Sequence, residues 1–138
     1  DYYASRGLGD VYKRQEKDME LMHITPDKKI LVLERIRYAD EKPVLLEINR
    51  FPESFSFLFG ENLNDTSLYD VLQNHNIIFD HSDKTLDIVF ASAQESKILG
   101  ISKGYPLLRI ESTIYNTDCS LVQRCKQLCI GDKFKFTI

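Results

Sequence analysis

The feature that most constrains this chain is a succession of strand-like segments joined by turns too short to hold a crossover. Residues 29–38 and 43–51 are β-rich and are separated only by the polar turn Ala39-Asp40-Glu41-Lys42. Residues 106–116 and 121–129 repeat the arrangement around a second turn at 116–120. Parallel neighbours would need a connection of about a dozen residues or more. Both pairs are therefore antiparallel hairpins. Residues 84–91 read as a further strand, with Leu86, Ile88 and Phe90 on one face and Asp87 and Val89 on the other. Gly131-Asp132 turns the chain into a last strand over 133–138.

Two helices interrupt the strands. Asp65 or Thr66 caps the first, in which Leu68, Val71 and Leu72 fall at helical spacing and which ends near 74–76. Ser92 opens the second with Glu95 three positions on, the pattern of a capping box, and Gly100 and Gly104 bracket its exit. Residues 16–22 read as a short helix and 53–64 as a loop-rich passage. The order is hairpin, helix, strand, helix, three-stranded meander. That is an α+β chain with a mostly antiparallel sheet, its helices lying on one face or at the ends.

With 138 residues and 43% hydrophobic composition, the chain holds enough apolar surface for one domain with a real core. The first fifteen residues lack an apolar period and carry Gly7, Gly9, Lys13 and Arg14. They read as a non-native or disordered segment, which leaves 16–138 as the domain. No apolar run approaches the ~20 residues of a membrane helix, and no secretory leader is evident, so the expected compartment is the cytoplasm.

A net charge of −3 argues against DNA binding by this chain alone, because such binding draws on Lys and Arg contacts to phosphates. Cys119, Cys125 and Cys129 have no fourth ligand and no histidine nearby. They read as reduced thiols, and neither metal nor cofactor is expected. His23, His75 and His81 sit in unrelated places, and no nucleophile or phosphate-loop motif accompanies them. No catalytic residue is assigned.

Arg35 and Arg37 alternate along one strand and so leave the same face. Two guanidinium groups side by side need an anion or a carboxylate between them. The functional reading is an anion clamp. The structural alternative pairs them with Glu47 or Glu111. Glu47, in the partner strand, falls level with Leu33 or Arg35. Ser67 and Tyr69 stand at a helix start, where N–H groups hold an anion or serve only as a cap.

Three segments together resemble a known family. Glu34-Arg35-Ile36-Arg37-Tyr38-Ala39-Asp40 runs into Lys42-Pro43-Val44-Leu45-Leu46-Glu47. Thr66-Ser67-Leu68-Tyr69-Asp70-Val71-Leu72 follows. Ala91-Ser92-Ala93-Gln94-Glu95 then leads to Gly104-Tyr105-Pro106-Leu107-Leu108-Arg109-Ile110-Glu111. Over residues 28–136 the chain resembles the UTRA domain of GntR-type transcription regulators of the HutC subfamily.

The resemblance implies a chorismate-lyase-like fold, a preceding winged helix-turn-helix domain that this chain lacks, and a homodimer. It implies that Arg35, Arg37 and Ser67, with Tyr69 beside them, hold the anionic group of a small metabolite. It gives Glu47 the sugar-like part, and puts Gln123 where the family often has a Glu. Cys129-Ile130-Gly131-Asp132 stands where the family often has Tyr-Arg-Gly-Asp. The expected function is an effector-sensing domain for a sugar phosphate or small carboxylate, reaching operator DNA only through the missing domain. A chorismate-lyase-type enzyme and a ligand-free dimerisation module are the alternatives.

Overall fold

The computed structural model describes residues 2–11, 30–61 and 68–133. The expected helix over 16–22 and the caps Asp65 and Thr66 lie outside these residues. So does all of the expected last strand except Lys133, which closes a 3-10 turn, Gly131–Lys133.

Six strands form the sheet: β1 (Tyr2–Val11), β2 (Ile30–Ala39), β3 (Lys42–Pro52), β4 (His81–Phe90), β5 (Pro106–Tyr115) and β6 (Leu121–Ile130). Two α-helices, α1 (Leu68–Asn74) and α2 (Ala93–Leu99), fall between β3 and β5. The sheet order is β1-β2-β3-β6-β5-β4, and every neighbouring pair is antiparallel. The two hairpins stand as the turns require, and the long-range β3–β6 ladder joins them into one sheet.

The turns explain their own geometry. Asp40 and Glu41 both take left-handed backbone, at φ 50° and 65°, between paired Ala39 and Lys42. Two such residues make the tight turn whose twist matches its strands. At the other hairpin Asn116 Oδ1 accepts from the Thr117 N–H, and Asp118 Oδ1 accepts from the Ser120 N–H. Cys119 there is left-handed at φ 65°.

The expected capping box is present. The Glu95 N–H donates to Ser92 Oγ at 3.1 Å, and the Ser92 N–H donates to Glu95 Oε1 at 3.0 Å. Gly100 ends α2 in left-handed backbone at φ 67°.

Three expectations are corrected. Within the segment expected to be non-native or disordered, Tyr2–Val11 do not stand apart from the fold, because they pair with β2 from Tyr2 opposite Tyr38 to Val11 opposite Ile30. Backbone pairing at a sheet edge needs partners for N–H and C=O groups, not an apolar side-chain period, so composition gave no sign of it. Glu53–Gly60 forms two 3-10 turns that meet at a kink at Phe55, rather than a loop. Its aromatics anchor it: Phe55 stacks on Phe51 at 5.5 Å and on Phe57 at 5.7 Å, while Leu58 is buried.

The helices also occupy both faces of the sheet rather than one. Leu31, Leu33 and Phe51 pack under Leu58, Leu68, Val71 and Leu72 of the 3-10 segment and α1. The opposite parity, Ile36, Leu46, Leu107, Leu128 and Ile130, packs under Leu99 of α2. Alternate residues of β2 and β3 are apolar on both sides, so each face demands its own cover.

Candidate functional site

On the face carrying α1 the apolar rows stop and a polar floor begins. Register sets its composition, because paired residues on adjacent strands share a face. One row runs Arg35, Glu47, Gln127, Ile110, Leu86 across β2, β3, β6, β5 and β4. The next runs Asn49, Cys125, Ser112, Lys84. Gln123, Ile114 and Ser82 form a third. Above them is a cavity of about 470 Å³, walled by Leu68 and Tyr69 of α1 and by Phe79. Tyr69 and Phe79 meet edge to face at 5.5 Å.

The floor is a connected network. The Asn49 side-chain N–H donates to Glu47 Oε1 at 2.7 Å, and the Gln123 amide N–H donates to Asn49 Oδ1 at 3.3 Å. Asn49 is 1% exposed, and Arg35 and Gln123 are each 4% exposed. Gln123 Oε1 is buried and has no hydrogen-bond partner among the described residues. A buried acceptor left unpaired costs about 1–3 kcal/mol. Cys125 sits between these groups. Burial, then the Glu47 carboxylate, pushes its thiol far up and keeps it neutral, while Lys84 acts in the opposite sense. At the rim His81 Nδ1 and Asp80 Oδ2 lie 2.9 Å apart, and the His81 ring stacks on Tyr115 at 4.9 Å.

Of the residues singled out from sequence, the cavity brings together Arg35, Glu47, Tyr69 and Gln123. Glu47 is directly opposite Arg35. Arg37 shares the face but lies one row further along, opposite Leu45, and does not line the cavity. Its charge bears instead on Cys129, the neighbour of Leu45 on β6. Both arginines have interaction partners within the fold. Glu111, the other acid considered for them, faces away and pairs at 3.6 Å with both Arg109 and Arg124.

Ser67 lies outside the described residues. Asn49, Ser112, Gln127 and Lys84 were missed. Asn49 was within reach of sequence reasoning, since it shares the parity of Glu47 two positions on. The others depend on the β3–β6 and β4–β5 registers. Among the described residues no group of three His, Cys, Asp or Glu side chains is placed to hold a metal ion. No helix there is long and apolar enough to cross a membrane.

Comparison with known proteins places this geometry in context. Residues 10–135 match the family model described as the UTRA domain. The chain is 28% identical over 131 residues to the HTH-type transcriptional regulator YurK of Bacillus subtilis, covering 94% of this chain and 54% of YurK. It is 29% identical over 103 residues to the transcriptional repressor NagR of the same organism, covering 74% of this chain and 42% of NagR. It therefore spans about half the length of the curated relatives it matches. These relatives are transcriptional regulators, not enzymes.

The fold matches the C-terminal domain of YurK with a TM-score of 0.88 at 24% identity, over 97% of this chain and 92% of that one. A GntR-family regulator from Enterococcus faecalis gives a TM-score of 0.88 at 26% identity, over 99% of this chain and 98% of that one.

Proposed function

The chain belongs to the UTRA domain family, and from that premise we propose that it senses a small anionic metabolite for a bacterial GntR-type regulator of the HutC subfamily. The observation that carries the reading is the buried polar floor. A guanidinium 4% exposed and engaged within the fold, beside a buried amide network, lines a cavity of about 470 Å³, an arrangement that suits a polar ligand rather than an apolar one. Arg35 offers a planar fork suited to phosphate or carboxylate, and Glu47 and Gln123 offer acceptors for hydroxyl or amine groups. Tyr69 forms part of the wall that would cover the ligand.

Arg37 and Ser67 remain in the proposal as outer contributors to the anion site, Arg37 from the next row and Ser67 from just before α1. Sugar phosphates and small carboxylates fit the chemistry. One relative, from Escherichia coli, is named as the repressor of a mannosyl-D-glycerate transport and metabolism system, which agrees with a sugar-derived ligand.

In the intact protein the sensing domain, whose sheet includes Tyr2–Val11, follows a winged helix-turn-helix domain that contacts operator DNA, works as a homodimer and acts in the cytoplasm. Regulation needs only that the ligand favour one arrangement of the dimer by a few kcal/mol. The test is a thermal-shift screen with phosphorylated sugars and small acids, followed by calorimetric titration of the best binder. Arg35→Lys keeps the charge but loses the fork, and should weaken binding about tenfold. Unchanged affinity in that variant would remove Arg35 from the site.

A further inference from the structure

We infer that Lys84, on the outermost strand, is a second anion-holding residue of the cavity, and that the ligand is a hydroxylated compound with an acidic group at each end. The inference rests on the reading of the cavity as an effector site and goes beyond it in naming what the far side recognises.

Lys84 lines the cavity from β4, with Ser112 beside it on β5. Arg35 lines it from β2. Four strand spacings separate their backbones, about 19 Å in a flat sheet. Both side chains line the same cavity of about 470 Å³, so one ligand of a sugar's size can meet both. The two cations differ in their surroundings. Arg35 is buried, has Glu47 directly opposite and is engaged within the fold. Lys84 joins no described acid in an ion pair. Asp80, which also lines the cavity, is bound to His81. Lys84 also falls in the same register row as Ser112 and Cys125.

Between the two cations the floor offers the Ser112 hydroxyl and the side-chain amides of Gln127 and Gln123. An acceptor in the middle and a cation at each side call for a ligand ordered as acid, hydroxyl-bearing chain, acid. A phosphorylated sugar acid has this form. A simple sugar phosphate leaves Lys84 unused.

Three probes separate the ends: 6-phospho-D-gluconate carries both acids, D-glucose 6-phosphate only the phosphate, and D-gluconate only the carboxylate. Calorimetric titration of the whole chain should show 6-phospho-D-gluconate bound about tenfold tighter than either of the others. Lys84→Met should reduce it to the affinity of D-glucose 6-phosphate while leaving D-glucose 6-phosphate itself unchanged. Lys84→Arg should retain most of the preference. Lys84 is exposed on an edge strand, so thermal melting should show all three proteins equally folded. Equal affinity for the doubly and singly acidic probes, or a Lys84→Met variant that weakens all alike or none, would overturn the inference and leave the Arg35 site standing. Failure of every probe to bind would overturn the effector site, and this inference with it.

Discussion

Cys125 and Cys129 lie four residues apart on β6 and face the same side, yet nothing in their spacing marks them as inert. Burial does that. It pushes the Cys129 thiol up to about 11 and the Cys125 thiol further, whereas Cys119 is exposed in a turn. A thiol reagent should therefore modify one cysteine in the folded chain and three after denaturation; rapid labelling of two or more in the native state would contradict this burial. The raised thiols also set an alkaline limit. Above about pH 8.5 an unfolded thiol releases its proton while the folded one retains it, so stability is complete below that pH and falls as pH climbs toward 11. Cys129→Ala should flatten that fall in denaturant titrations at stepped pH, whatever it costs at neutrality. Asn49 belongs to the same scale. Asn49→Ala removes a donor to Glu47 and an acceptor for Gln123, both deep in the floor, and should cost about 2–3 kcal/mol in urea unfolding. Strand parity made the shared face of Arg35 and Arg37 legible from sequence. It could not show that only Arg35 reaches the cavity, because that depends on where the covering helix stops.

At the scale of elements, what could be read was whatever a local turn or cap dictates. Both hairpins, the capping box at Ser92 and the apolar stripe of α1 are local, and all are present. The 3-10 segment read as loop because no cap or helical period marks it, and tertiary aromatic contacts decide the backbone. Strand β1 escaped notice because edge pairing leaves no side-chain pattern. The β2–β3 turn carries a testable strain. Glu41 holds φ 65°, a region that costs a residue with a Cβ about 1–2 kcal/mol. Glu41→Gly turns Asp40-Glu41 into the Asp-Gly pair that such turns favour. It should raise stability by about 1 kcal/mol in chemical denaturation, less whatever glycine adds to the entropy of the unfolded chain. A fall in stability would show that the carboxylate of Glu41 matters more than its backbone.

The whole molecule is ordered by one pairing that the sequence does not announce, the ladder between β3 and β6. It sets β5 and β4 outside β6 and so brings Lys84 and Ser112 to the same floor as Arg35. Non-local register of this kind has no local signature, which is why half of the cavity was illegible while the fold class was not. The same order leaves β4 at the edge of the sheet, with Leu86 53%, Ile88 60% and Phe90 70% exposed along one face. A ten-residue strand at the edge of the described sheet, with an apolar stripe, readily adds a strand from another chain. The net charge of −3 makes duplex DNA a poor occupant, so the chain alone should give no sequence-selective gel shift at physiological salt. A second copy is the expected occupant, because antiparallel pairing about Ile88 sets Leu86 of each copy opposite Phe90 of the other and extends the stripe across the join. Sedimentation at micromolar concentration should then find a dimer. Ile88→Lys places a charge at the centre of that join, opposite its own symmetry mate, and should leave a monomer. Its melting temperature should fall only by the stability that dimerisation supplied, since Ile88 contributes little to the core of a single chain. A dimer that persists in Ile88→Lys would locate the interface elsewhere on the domain.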